Sequence, residues 1–85
     1  MSDTASRIRG VLSEHGRLAK PITELANADD LYQAGMTSHA SVNVMLALEG
    51  EFDVEFPDSM LKRSVFESVA SIQAALTELQ AEIVS

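Results

Sequence analysis

Val69, Ile72, Leu76, Leu79 and Ile83 recur at alternating spacings of three and four residues. Such positions share one face only in a helix, and so continuous an apolar face must be buried. Ser68, just ahead of the run, is placed as its N-cap. A sustained seam also suits dimerisation. This one is short, however, and a chain of 85 residues buries only about 60% of its unfolded surface, so the seam is needed for the chain's own core. It is assigned to packing within a monomer, in a single domain spanning residues 1–85. No internal repeat or low-complexity segment interrupts it.

The remaining apolar pattern is also helical. Ile8, Val11, Leu12 and His15 follow i, i+3, i+4, i+7 spacing, which predicts a first helix from Ser2–Thr4 to a stop at Gly16. His15 then sits where a protonated imidazole complements the helix dipole, and nothing beside it in sequence suggests a catalytic partner. A second helix is expected from Ser38 to about Glu51, with Met45, Leu48 and Phe52 as its inward stripe, Val44 at the edge, and Val42 and Leu46 on a second stripe. Together these exceed the ~100° that a core-facing stripe needs. The extra flank is left either for covering loops or for a partner.

Phe52, Val54 and Phe56 alternate with acidic residues, which by period alone argues for a strand. A lone strand has no sheet to join in so short a chain, and Pro57 follows at once. An extended connection pinned to the core is the better reading. Asp58 or Ser59 is expected to cap a short third helix through Met60 and Leu61, with Lys62 and Arg63 at its end, either solvated or serving an interaction. The fold class is therefore all-α.

Between the first two helices, Arg17 to Thr37 form a connection of a length usually reserved for functional or disordered segments. Leu18, Ile22, Leu25, Leu31 and Tyr32 are spaced along it as anchors, so it is read as pinned to the core. It ends in Gly35-Met36-Thr37-Ser38. A serine at the first position of a helix can cap it through its hydroxyl. It can equally hold an attached phosphate at the positive end of the dipole. Local chemistry leaves both open.

Thirteen acidic residues against six basic ones, a net charge of -7 and a pI near 4.5 argue against nucleic acid and anionic membranes as partners. They favour enzymes that present basic patches. With 46% apolar residues and a mean hydropathy of +0.06 the chain has enough apolar side chains to fold alone. Without cysteine it builds no disulfide or cysteine-based metal site, so any thiol must come from an added group. Met1 to Ser6 show no basic region followed by an apolar run, and a cytoplasmic protein is expected.

Asp30-Leu31-Tyr32, Gly35, Met36, Thr37 and Ser38 stand in the order of a known signature: an acidic residue with an apolar pair, two spacers, Gly, an apolar residue, a small polar or acidic residue, then a modified serine. The match continues through Val42, Leu48-Glu49, Glu51-Phe52, Phe56-Pro57-Asp58 and the stretch from Phe66 to Ile72. On these residues the chain resembles the acyl carrier protein superfamily over nearly its whole length. The resemblance implies a four-helix bundle with a long first loop and a short third helix, and a protein that is not an enzyme. It also implies that Ser38 carries 4'-phosphopantetheine through a phosphodiester. A phosphopantetheinyl transferase would move that arm from coenzyme A with the help of a divalent ion, and cargo would ride on its thiol.

Thr37-Ser38-His39 stand where the family commonly has Asp-Ser-Leu. Ala40, Asn43 and Gly50 replace residues that are often acidic, leaving Glu49 and Glu51. The run from Gly35 to Val42, with Phe56 to Leu61, resembles a stand-alone subgroup of aminoacyl carrier proteins. There an amino acid:carrier protein ligase, itself like a seryl-tRNA synthetase core, loads a small amino acid. The resemblance thus implies a carrier of an activated amino acid, with a carrier of fatty-acid or polyketide-type acyl groups as the alternative. Partner contacts are expected at Thr37, His39, Val42, Leu46, Glu49, Met60 and Leu61, with no metal site and an unknown downstream acceptor enzyme. Two readings lie outside the family. One is a helical binding module with Ser38 unmodified. The other is a hydrolase using Ser38 with His39 or His15, disfavoured because adjacent helical residues do not face each other and no third orienting group is evident.

Overall fold

The computed structural model describes the backbone of residues 4–84 and the side chains of residues 4–80. The expected start at Ser2 and the side chain of Ile83 lie outside the described residues. Four α-helices occur among the described residues: α1 (Thr4–His15), α2 (Ser38–Phe52), α3 (Arg63–Phe66) and α4 (Val69–Val84). Two 3-10 turns, Ile22–Glu24 and Asp58–Met60, punctuate the connections, and no strand occurs among the described residues. α1 packs on α2 and α4, and the short α3 packs on α4.

α1 buries Ala5, Ile8, Val11 and Leu12. It stops before Gly16, where a Cβ would lie 2.7 Å from the Leu12 carbonyl oxygen and glycine avoids the clash, and the next residue, Arg17, takes the left-handed conformation that turns the chain away (φ 52°). α4 buries Val69, Ile72, Ala75, Leu76 and Leu79, the expected seam. Its cap is Ser68, whose Oγ accepts the Ser71 N–H at 3.1 Å.

On α2 the buried face differs from the expected one. Ala40, Val44, Leu48 and Phe52 are buried, a series in steps of four, whereas Met45 is half-buried. The small Ala40 completes the inward row, which moves the centre of the face to Val44 and Leu48 and leaves Met45 at its margin. Val42 and Leu46 stay 50% and 55% exposed, so no loop covers the second stripe.

After α2, Asp53 turns the chain with φ 54°, and Val54 and Phe56 pin an extended connection to the core as expected. The short third helix lies further along than its sequence suggests. Asp58–Met60 is a single 3-10 turn preceded by Pro57. Lys62 is extended, and the helix begins at Arg63, so the two basic residues open α3 where they were expected to close it. The later start brings Phe66 into the core, where its ring meets Phe56 edge-to-face at 5.3 Å.

The long first connection is held at several points. Arg9 of α1 donates to the carbonyl oxygens of Ile22 (2.8 Å) and Leu25 (2.7 Å) and to Asn27 Oδ1. The Leu31 N–H donates to the Glu67 carbonyl at 2.6 Å, and the Ala70 N–H to the Asn27 carbonyl at 2.9 Å, which ties the loop to the start of α4. Leu25 and Leu31 are buried, with Leu18, Ile22 and Tyr32 partly so, and Ala34 and Met36 join them.

Candidate attachment site

The loop reaches α2 through Gly35, whose φ of +116° is one that side chains rarely adopt, and a Cβ there would lie 2.8 Å from the Ala19 nitrogen. Thr37 follows in extended conformation and its Oγ1 accepts the Ala40 N–H at 3.0 Å, making Thr37 the N-cap of α2. Of the two roles open to Ser38, capping is therefore taken by its neighbour. Ser38 is the first helical residue and is exposed, its carbonyl accepts the Ser41 hydroxyl at 2.7 Å, and its own hydroxyl has no hydrogen bond among the described residues. The first N–H groups of a helix lack intrahelical acceptors. With Ala40 satisfied by Thr37, those of Ser38 and His39 remain available beside the Ser38 oxygen.

Ser38 opens onto a groove of about 460 Å³. One wall is the flank of α2, with Ser41, Val42 and Met45. The other carries Leu61, Lys62, Arg63 and Phe66, with Tyr32 contributed by the loop. The Arg63 guanidinium lies 4.1 Å over the Tyr32 ring. No carboxylate pairs with Lys62 or Arg63 among the described residues.

Of the expected partner residues, Val42 and Leu61 line this groove with Ser38, both about half exposed. Leu46 is exposed further along α2 and His39 is exposed on its first turn. Thr37 is committed through its hydroxyl to the cap. Glu49 is turned to an internal task, its Oε2 accepting the Phe56 N–H at 2.9 Å, and Met60 is half-buried against the core. Glu51 is paired with Arg7 at 2.9 Å. Both acidic side chains of α2 are thus engaged within the molecule. His15 lies at the end of α1, 3.7 Å from Glu14. Among the described residues no group of His, Cys, Asp and Glu side chains is arranged to hold a metal ion. Sequence reasoning missed Tyr32, Lys62 and Arg63 as neighbours of Ser38. Tyr32 reads there as a loop anchor and the two cations as a helix end, and only the fold brings them together.

The family described as phosphopantetheine attachment site matches residues 7–79, and this chain belongs to it. The family is defined by a site that carries 4'-phosphopantetheine covalently. Within that family the chain is 46% identical over 66 residues to the aminoacyl carrier protein of Agrobacterium fabrum, covering 78% of this chain and 80% of the relative. A carrier protein from Agrobacterium tumefaciens, crystallised with an engineered Bradyrhizobium japonicum glycine:carrier protein ligase and ATP, superposes with a TM-score of 0.87 at 39% identity over 89% of this chain and 99% of its own. A glycylated carrier protein bound to the Bradyrhizobium japonicum ligase gives a TM-score of 0.73 at 28% identity over 85% of this chain and 96% of its own. The residues here fit such an arm. An exposed, uncommitted hydroxyl stands beside free backbone N–H donors, at the mouth of a largely apolar groove that carries two cations.

Proposed function

We propose that this chain is an aminoacyl carrier protein, holding an activated amino acid as a thioester on a 4'-phosphopantetheine arm attached to Ser38. The observation that carries the reading is the division of labour at the start of α2: Thr37 caps the helix, so the Ser38 hydroxyl is free to be substituted without loss of a structural bond. A phosphopantetheinyl transferase attaches the arm by displacing 3',5'-ADP from coenzyme A with the Ser38 oxygen. The arm supplies a thiol that a cysteine-free chain lacks. The residues of the chain hold the serine out on a rigid turn and keep the phosphodiester at a helix N-terminus, where its charge is favoured.

The similarity to aminoacyl carrier proteins supports an amino acid over a fatty acyl group as cargo. The neighbour that is glycylated makes glycine the first substrate to try. Loading would come from an amino acid:carrier protein ligase with a seryl-tRNA synthetase-like core, and delivery would go to a separate acceptor enzyme. Ser38's surroundings at His39, Val42, Leu46 and Leu61 are the surface offered to these partners. We read the carrier as a cytoplasmic monomer; no helix among the described residues is long and apolar enough to cross a membrane.

The test begins with coenzyme A, magnesium and a broad-specificity transferase. Wild type gains the mass of one arm and Ser38→Ala gains none. Holo protein incubated with the ligase, ATP and glycine then acquires a group that hydroxylamine releases as the amino acid derivative. Absence of any mass gain on wild type would refute the carrier reading. Efficient malonyl loading by a malonyl transferase, with no aminoacylation by any such ligase, would shift the cargo to the acyl alternative.

A further inference from the structure

The connection between α1 and α2 is largely irregular, and its backbone polar groups need partners that no helix ladder supplies. Arg9 supplies several of them. From the middle of α1 its guanidinium donates to the carbonyl oxygens of Ile22 at 2.8 Å and Leu25 at 2.7 Å, and through Nε and Nη2 to Asn27 Oδ1 at 3.1 and 2.7 Å. A planar fork of donors suits acceptors that must be fixed together. Asn27 is also held from the other side, its carbonyl accepting the Ala70 N–H at 2.9 Å, so α1 and α4 grip the loop at one residue. From Asn27 onward each turn is bonded to the next. Asp30 Oδ1 accepts the Tyr32 N–H at 2.9 Å, the Leu31 carbonyl accepts the N–H groups of Ala34 at 3.1 Å and Met36 at 3.0 Å, and the Ala34 carbonyl accepts the Ala19 N–H at 2.7 Å. The turn that delivers Ser38 therefore hangs from a loop whose middle is set by Arg9.

We propose that Arg9 is a positioning residue for attachment of the arm: by fixing Asn27 it sets how the loop approaches α2, and so where the Ser38 hydroxyl lies when a transferase engages the carrier. The inference rests on the reading of Ser38 as the attachment point and adds to it a residue that touches neither the serine nor the coenzyme. Transfer needs the Ser38 oxygen aligned with the phosphorus it attacks, and a misplacement of about 1 Å by a change far from the chemistry can cost about a hundredfold in rate. Asn27 is the relay. Its side chain answers to α1 and its backbone to α4, so the two ends of the link can be cut separately.

The experiment measures arm uptake from coenzyme A by a broad-specificity phosphopantetheinyl transferase with magnesium, varying the apo carrier so that kcat and KM separate. Partial unfolding of a variant only dilutes the competent substrate, which raises KM and leaves kcat. A displaced Ser38 in a folded carrier lowers kcat itself. Arg9→Ala is expected to lower kcat by about tenfold, inside the range that misplacement allows. Asn27→Ala removes the side-chain acceptor, keeps the backbone bond to Ala70 and lowers kcat in the same direction. Asn27→Asp keeps an acceptor oxygen for the guanidinium and stays at the wild-type kcat. Arg9→Lys, whose compact ammonium lacks the fork that spans these acceptors, falls between. Arg7→Ala, on the same helix but engaged with Glu51 and Phe52, leaves kcat unchanged. Circular dichroism establishes that each variant is folded, and amide shifts at Gly35 to Ala40 report the moved turn. A wild-type kcat in both Arg9→Ala and Asn27→Ala, whatever their KM, would overturn the positioning role while leaving the carrier function intact. Failure of wild type to take up the arm would overturn both.

Discussion

Thr37 Oγ1 accepts the Ala40 N–H at 3.0 Å, and this one bond separates what holds the start of α2 from what is attached to it. Substitution at the two adjacent hydroxyl residues should therefore give opposite results. Thr37→Ala is expected to lose about 1 kcal/mol, the usual cost of a lost cap, and still to be modified. Ser38→Ala should unfold in urea within about 0.5 kcal/mol of wild type, as exposed substitutions generally do, and accept no arm. Urea midpoints and intact mass check the pair.

Leu46 and Leu48 lie two residues apart on α2 and differ in exposure, 55% against 0%. Leu48→Ala is expected to cost about 2–5 kcal/mol as a buried truncation. Leu46→Ala should cost less than about 0.5 kcal/mol and yet slow loading by transferase or ligase. Equal losses in denaturant, with loading of Leu46→Ala unchanged, would make the exposed flank irrelevant to partners.

Gly35→Ala meets two obstacles at once, a φ of +116° and a backbone nitrogen 2.8 Å from the new Cβ. A loss of at least about 1 kcal/mol is expected, with the turn before Ser38 displaced. Thermal unfolding reads the first effect, and amide shifts at Met36 to Ala40 read the second. A variant as stable as wild type would show that the turn relaxes freely.

Arg7 and Arg9 sit on the same helix and should behave differently. Arg7 makes an exposed pair with Glu51, rests on the Phe52 ring at 4.3 Å, and donates to the Glu51 carbonyl. Arg7→Ala is expected to cost about 1 kcal/mol or less. Arg9→Ala removes the donor that satisfies two loop carbonyls and Asn27, at about 1.5–3 kcal/mol. Hydrogen exchange should quicken in residues 17–37 for Arg9→Ala and not for Arg7→Ala.

The helices were legible where one apolar face is complete in sequence. Val69, Ile72, Leu76 and Leu79 form such a face, and all are buried. Ser68 as cap and the rejection of a strand at Phe52 to Phe56 follow from similarly local rules. The centre of α2 departs from the apolar pattern because Ala40, too small to register as a hydrophobic signal, completes the inward row through Val44. The start of α3 departs from the sequence pattern because the basic pair reads as a helix end, and nothing local says that Phe66 must travel on to meet Phe56. Ser38 is singled out in the sequence by the order of residues around it. Its freedom from capping, the inward turn of Glu49 and the Arg63–Tyr32 stack all depend on contacts between distant parts of the chain, which no periodicity encodes.

The hydrogen bonds from Leu31 N–H to Glu67 and from Ala70 N–H to Asn27 join the loop before Ser38 to the segment that opens α4. During synthesis the serine emerges well before those anchors do. The loop that leads to it is anchored by residues translated later, so a nascent or truncated chain carries the residue order around Ser38 without these two anchors. On the proposed reading, a transferase that recognises this geometry would meet it only in chains whose residues up to Ala70 have folded.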